Sequence, residues 1–340
     1  MTERSTKSVD DALSARETTK PRERTPRRAA LDPRAAQRVL EVTLSQDAAF
    51  SPPAAIGGGE DTAPEAPRSV EHNLLQAGLL NERDIARVRS YQKRHRCTVG
   101  LALTRLRLVS PSEVNVALAI QYGFVRAQTR ARDLHSDLAV IMQPKSEAAE
   151  QIRLLRARLL TTRDPETLKL FSVAPAGYSS RADFLTANLA ISFSQLNKKV
   201  LLVDADFASP RLGRLFRVQR DQSGLADVLS GSQASEDAIL QTPFTNLSIM
   251  PAGARRENMA ELIATNRLSR VFNDMQAMFD TVIVLSAPVS EEAMARYVWM
   301  ATNATLVAAR RHQTRFAELD RLEAAMRQVG ASVIGAAMTR

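Results

Sequence analysis

Lys199-Val200-Leu201-Leu202-Val203-Asp204-Ala205-Asp206-Phe207-Ala208-Ser209-Pro210-Arg211-Leu212 is the stretch that decides the fold. Its apolar run is short, unbroken and ended by a carboxylate, which is what a strand buried on both faces requires. Runs of the same kind recur at Leu168 to Ala174, Leu247 to Pro251, Thr281 to Ser286, Ala304 to Ala308 and Ser332 to Met338, with amphipathic helical stretches between them. Strands alternating with helices predict an α/β fold with a parallel sheet covered by helices on both faces. In such a sheet the ligand crevice lies at the carboxyl ends of the strands.

Outward from that core the composition changes. Residues 1–66 carry six prolines, the Gly57-Gly58-Gly59 triplet and charge runs, with 10 basic against 11 acidic side chains, and they read as a disordered tail. Leu31 to Leu44 has the spacing of one short amphipathic helix within it. Residues 67–163 hold 17 basic against 8 acidic side chains, which accounts for the whole net charge of +9, while residues 164–340 are nearly balanced. That excess implies an anionic partner or a solvated arginine-rich surface. No aromatic residues interleave with the arginines, so nucleic acid is not the expected partner. No apolar run approaches the roughly 18 residues of a membrane span, and Met1 to Asp10 lacks the apolar core of a secretory signal, so a cytoplasmic location is expected. A lone Cys97 and the scattered His72, His95, His135 and His312 predict neither a disulfide nor a metal site.

Between Asn73 and Phe124 the chain repeats itself. Leu74 to Leu80 and Leu103 to Val109 each lead into a polar start, Asn81 to Asp84 and Ser110 to Glu113, and then a helix closing on glutamine, Gln92 or Gln121. The expected organisation is a tail over 1–66, a small helical domain over 67–130, a linker with one helix over 131–164, and the α/β domain over 165–340.

The core stretch, with Leu215-Phe216, Ser223-Gly224-Leu225-Ala226-Asp227-Val228-Leu229, Met250-Pro251-Ala252-Gly253 and Val329-Gly330-Ala331, resembles the bacterial tyrosine kinases of capsule and exopolysaccharide systems from about Lys145 onward. Glu150, Arg153 and Arg156 match that family's Glu-x-x-Arg-x-x-Arg helix, which implies that the linker helix serves oligomerisation through subunit contacts. The resemblance likewise implies that 165–340 is a domain of the phosphate-binding-loop type. The phosphate chemistry does not carry over. A phosphate-binding loop needs glycines for close backbone approach, a lysine for charge and a hydroxyl for magnesium. Anchored on Asn188-Leu189-Ala190, the loop falls at Gly177 to Phe184. Gly177 survives, whereas Arg181 stands at the second glycine, Ala182 at the lysine and Asp183 at the hydroxyl. Leu285 stands where the family's strand ends in a magnesium-side aspartate. Asp204 and Asp206 remain, either as relics of a metal and water site or as structural caps of the helix from Ser209. The phosphorylated tyrosine tail of relatives has no counterpart here.

Thr98-Val99-Gly100, Arg107 and Gln121 lie in a pattern similar to the N-terminal domain of type II secretion and pilus ATPases, some of which bind cyclic di-GMP. Thr98 stands at the arginine and Arg107 at the central glycine of that pattern. The resemblances together imply an inactive kinase-like protein with no ATP or magnesium bound. Its expected partners are an inner-membrane polysaccharide co-polymerase or a catalytic homologue, with cyclic di-GMP as a potential signal and attachment to the membrane only through the partner. The rival expectation is a working ATP-dependent tyrosine kinase or partitioning-type ATPase with an unorthodox loop.

Overall fold

The computed structural model describes residues 69–177, 180–219, 221–264, 266–289 and 292–339. The tail expected over 1–66 and its helix from Leu31 to Leu44 lie outside them. No helix among the described residues is long and apolar enough to cross a membrane.

Four helices come first among the described residues: α1 (Val70–Gln76), α2 (Glu82–His95), α3 (Val99–Arg105) and α4 (Pro111–Gln121). They form two copies of one helix pair, each position recurring 29 residues later, as Ser69 and Thr98 show by capping α1 and α3 through their side-chain oxygens. Asn81 with Asp84, and Ser110 with Glu113, close reciprocal caps on α2 and α4, satisfying N–H groups that a helix start leaves open. The turn between paired helices also repeats. Gly78 and Arg107 both take a left-handed backbone, with φ of 68° and 54°. The following N–H groups of Leu79 and Leu108 donate to Leu74 and Leu103 at 2.9 and 3.1 Å.

The apolar residues of this repeat, among them Leu74, Val88, Leu103, Val114 and Ala117, make a small core of their own. Helix α4 is buried on two sides, because Val116 and Ala119 belong to the main core of the sheet. Beyond it, α5 (Ala139–Met142) and α6 (Glu147–Thr162) send Val140, Ile141, Ile152, Leu155 and Leu159 into that same main core. The stretch expected as a linker is thus a packed layer. Its apolar residues, spaced for a helix, are satisfied within the chain.

The sheet has seven strands: β1 (Leu170–Pro175), β2 (Val200–Ala205), β3 (Leu240–Gln241), β4 (Leu247–Met250), β5 (Thr281–Ser286), β6 (Ala304–Arg310) and β7 (Ser332–Thr339), in the order β3-β4-β2-β5-β1-β6-β7. All neighbours are parallel except β3 and β4. Alternate residues of the central strands enter different cores: Phe171, Leu202, Ile283 and Leu285 lie on one face and Leu170, Leu201, Val282 and Val284 on the other. Double-sided burial explains why these strands read as unbroken apolar runs. Helix α7 (Ala182–Ser194) covers the first face; α8 (Leu212–Leu215) follows β2, and α9 (Leu225–Ser230), α10 (Met259–Ala264) and α11 (Arg267–Met278) contribute to the second. Helices α12 (Glu292–Thr302) and α13 (Phe316–Gln328) complete the alternation.

Candidate nucleotide site and its replacement

The crevice at the carboxyl ends of β1, β2 and β5 is where this architecture places a phosphate. The loop leaving β1 tightens through a 3.1 Å hydrogen bond from the Ser180 N–H to the Gly177 carbonyl, and α7 starts at Ala182. Tyr178 and Ser179 lie outside the described residues. Counted back from Ala182 with the motif's spacing, the first-glycine position falls on Ala176, one residue before Gly177, so no motif glycine remains. Arg181 nevertheless keeps a glycine-like backbone, with φ 50° and ψ 36°. The left-handed turn persists without the residue that adopts it freely.

The Arg181 side chain has partners within the chain. Its Nη2 donates to Asp137 Oδ2 at 3.0 Å, and its guanidinium lies 4.6 Å from the centre of the Phe184 ring. Ala182 is wholly buried and shares the core with Leu185 and Leu285. Leu285 is paired in register with Asp204 on β2 and Val173 on β1, and is also buried. Asp183 stands in the first turn of α7 and is nearly buried. No amine or hydroxyl occupies positions 182 and 183, and no carboxylate occupies 285.

Asp204 and Asp206 both accept from backbone N–H groups. Asp204 Oδ2 accepts from the N–H groups of Arg211 and Leu212, both at 3.0 Å, and Oδ1 accepts from the Asp206 N–H at 3.1 Å. Burial pushes its carboxyl up to about 7, and the nearby Asp206 charge adds to this, against the pull of those three N–H donors. Asp206 Oδ1 accepts from the Ser209 N–H at 3.0 Å, and its other oxygen lies 4.0 Å from Arg211 Nη2. The short helix α8 is thus capped by Asp204, while Asp206 holds the turn before it.

Two clamps escaped the reading of the sequence. Asn188 accepts from the Val140 N–H at 3.1 Å and donates to the Asp137 carbonyl at 2.8 Å, fastening the 137–140 segment to α7. A single amide in the apolar run of α7 was the available signal. Asp227 accepts from the Gly224 N–H at 3.0 Å and from Arg256 Nη2 at 2.8 Å. Burial alone would raise its carboxyl, but these donors and the Ala254 N–H hold it below the usual range. A side chain at Gly224 would begin 2.1 Å from the Pro251 carbonyl oxygen, so the glycines of the Ser-Gly-Leu and Pro-Ala-Gly motifs serve backbone contact.

The three residues expected on a subunit interface lie together on α6, and each has a partner within the chain. Arg153 bonds Glu150 at 2.8 Å and the Pro144 carbonyl at 2.5 Å. Arg156 Nη1 donates to the Ser192 carbonyl near the end of α7, and burial, then the Arg153 charge, depress its guanidinium below the ordinary value. In the repeat, Thr98 is a helix cap and Val99 packs against the small core. A side chain at Gly100 would meet Val114 at 2.9 Å, and Arg107 holds the left-handed turn. Gln121 ends α4.

Residues 184–332 match the AAA domain family. Among curated proteins the chain is 25% identical to a putative tyrosine-protein kinase CapB of Staphylococcus aureus, over 60% of this chain and 90% of that one. It is 28% identical to the tyrosine-protein kinase ptk of Acinetobacter johnsonii, over 55% of this chain but only 26% of the longer relative. Among solved structures, the BceF tyrosine kinase domain is 26% identical with a TM-score of 0.53, covering 59% of this chain and 81% of that one. The kinase domain of Escherichia coli tyrosine kinase ETK reaches a TM-score of 0.57 at 23% identity, covering 62% and 84%. In its α/β part this chain is similar in sequence to bacterial tyrosine-protein kinases.

Proposed function

We propose that the chain is a catalytically silent member of this kinase group that works as a regulatory or scaffold partner in capsule or exopolysaccharide assembly and export. The observation that supports this is the joint loss at one crevice: Ala182 and Leu285 bury apolar groups where an amine and a carboxylate would act, and Asp183 adds negative charge. Like charge beside a triphosphate is costly. The partners proposed are a catalytic homologue or an inner-membrane polysaccharide co-polymerase, with the protein peripheral to the membrane through that partner. Calorimetry with magnesium-ATP, together with transfer from γ-labelled ATP, tests the reading. The expected result is no heat up to high micromolar nucleotide and no label on Tyr91, Tyr122, Tyr178 or Tyr297. Micromolar affinity or a labelled tyrosine would overturn it.

For the helical layer, cyclic di-GMP at Thr98, Val99, Gly100, Arg107 and Gln121 is the second reading, and weak or absent affinity is expected because Thr98 stands where the pattern has an arginine. A cap, a close helix contact and a turn account for Thr98, Gly100 and Arg107 without a ligand.

A further inference from the structure

Away from the crevice, helix α2 carries Arg83, Arg87, Arg89, Lys93 and Arg94, followed by Arg96 at its end, against only Glu82 and Asp84. All six basic residues are exposed. Arg87, Ser90, Tyr91 and Arg94 fall three, four and seven residues apart and share one face of the helix. With Ala86 and with Leu106 from the turn after α3, they line a groove of about 370 Å³. Its floor is apolar, formed by Ala86, the Tyr91 ring and Leu106, the last two packed on the small helical core. Its two ends are cationic. Arg87 has one solvent-exposed contact, to Asp84 at 3.5 Å, and Arg94 has no ion pair among the described residues.

We propose that this groove docks an extended acidic segment of a partner protein, one in which two carboxylates flank an apolar side chain. Charge complementarity commits the occupant, and the spacing sets its pattern. Seven residues of helix separate Arg87 from Arg94 by about 10 Å. An extended chain covers that span in about three residues. Because side chains of an extended chain alternate faces, the motif is a carboxylate at one position, a second four residues on, and an aliphatic side chain midway between them over Tyr91 and Leu106, with the long arginine side chains spanning the few ångströms of difference. Arg87 and Arg94 each offer paired N–H groups to a carboxylate. The proposal is independent of whether the crevice binds nucleotide, since no residue of one belongs to the other.

The test is fluorescence anisotropy with the full chain and a fluorescein-labelled hexapeptide carrying two aspartates four residues apart with a leucine midway between them. The expected result is saturable binding, weakened at least about tenfold by Arg87→Glu with Arg94→Glu, in a variant whose circular dichroism melt is unchanged. The same peptide with adjacent aspartates binds more weakly. Lys145→Glu with Lys199→Glu makes the same change in net charge away from the groove and is expected to shift the midpoint less than about threefold. Three results each overturn the proposal. They are no saturable binding at millimolar protein, an equal loss in both charge-reversal variants, and binding to phosphatidylserine vesicles that depends on Arg87 and Arg94 while the peptide does not bind.

Discussion

Replacing Arg107 by glycine isolates the energetics of the helical repeat. Gly78 and Arg107 hold the same left-handed turn at equivalent positions, with φ of 68° and 54°. Nothing lies within 4 Å of a β-carbon built on Gly78, so the difference between the two turns is a backbone matter rather than a clash. A left-handed conformation costs an ordinary L-residue about 1 to 2 kcal/mol. Glycine removes that cost but gives back about 0.4 to 1 kcal/mol through the greater freedom of the unfolded chain. Arg107→Gly is thus expected to stabilise by about 0.5 to 1 kcal/mol. The reciprocal Gly78→Ala should destabilise by about 1 kcal/mol. Urea unfolding at neutral pH reads both. Far-ultraviolet circular dichroism follows the whole chain, while the single buried Trp299 follows the sheet core, where its indole N–H donates to Ser286 at 3.1 Å. A loss of more than about 0.5 kcal/mol in Arg107→Gly with a neutral Gly78→Ala would mean that the arginine is held by a contact rather than tolerated by the turn.

At Asp204 the folded carboxyl titrates near 7, against about 3.9 in an unfolded chain. The native state therefore holds an extra proton between those values, and the stability linked to this group is full below about pH 4 and falls as pH rises to about 7. The wild type should lose stability across that window relative to Asp204→Asn, measured by urea midpoints at pH 4, 5.5 and 7; parallel pH curves would refute it. Gly224→Ala should cost about 3 kcal/mol or more, since its added carbon meets backbone rather than a mobile side chain; a melting temperature within a degree of wild type would count against it. Arg156→Ala should cost about 1.5 to 3 kcal/mol through the lost charged hydrogen bond to Ser192. If that variant instead changes molar mass in light scattering at unaltered stability, the residue belongs to a subunit interface. Titrating the full chain with cyclic di-GMP is expected to release no heat at high micromolar concentration, and a saturable isotherm lost in Thr98→Ala would reverse that.

What could be read without the fold was whatever is encoded over a few neighbouring residues. Val200 to Val203 and Thr281 to Ser286 announced buried parallel strands because double-sided burial removes alternation. Likewise Ser110-Pro111-Ser112-Glu113 announced a helix start because the cap is closed by residues three apart. The residue types at Arg181, Ala182 and Asp183 were legible in the same way, as ones other than the glycine, lysine and hydroxyl of a phosphate-binding motif. The strand β3 was not foreseen, since two residues at a sheet edge carry no period. Nor were the destinations of side chains. Arg181 turning to Asp137, Asn188 gripping the 137–140 segment, Asp204 capping α8 and Arg156 reaching Ser192 join residues that are 44, 48, 8 and 36 positions apart. Only tertiary packing brings those groups within hydrogen-bond reach. Packing also decided that 131–164 is a layer of the main core, because the period of an amphipathic helix shows that it has an apolar face but not which surface covers it.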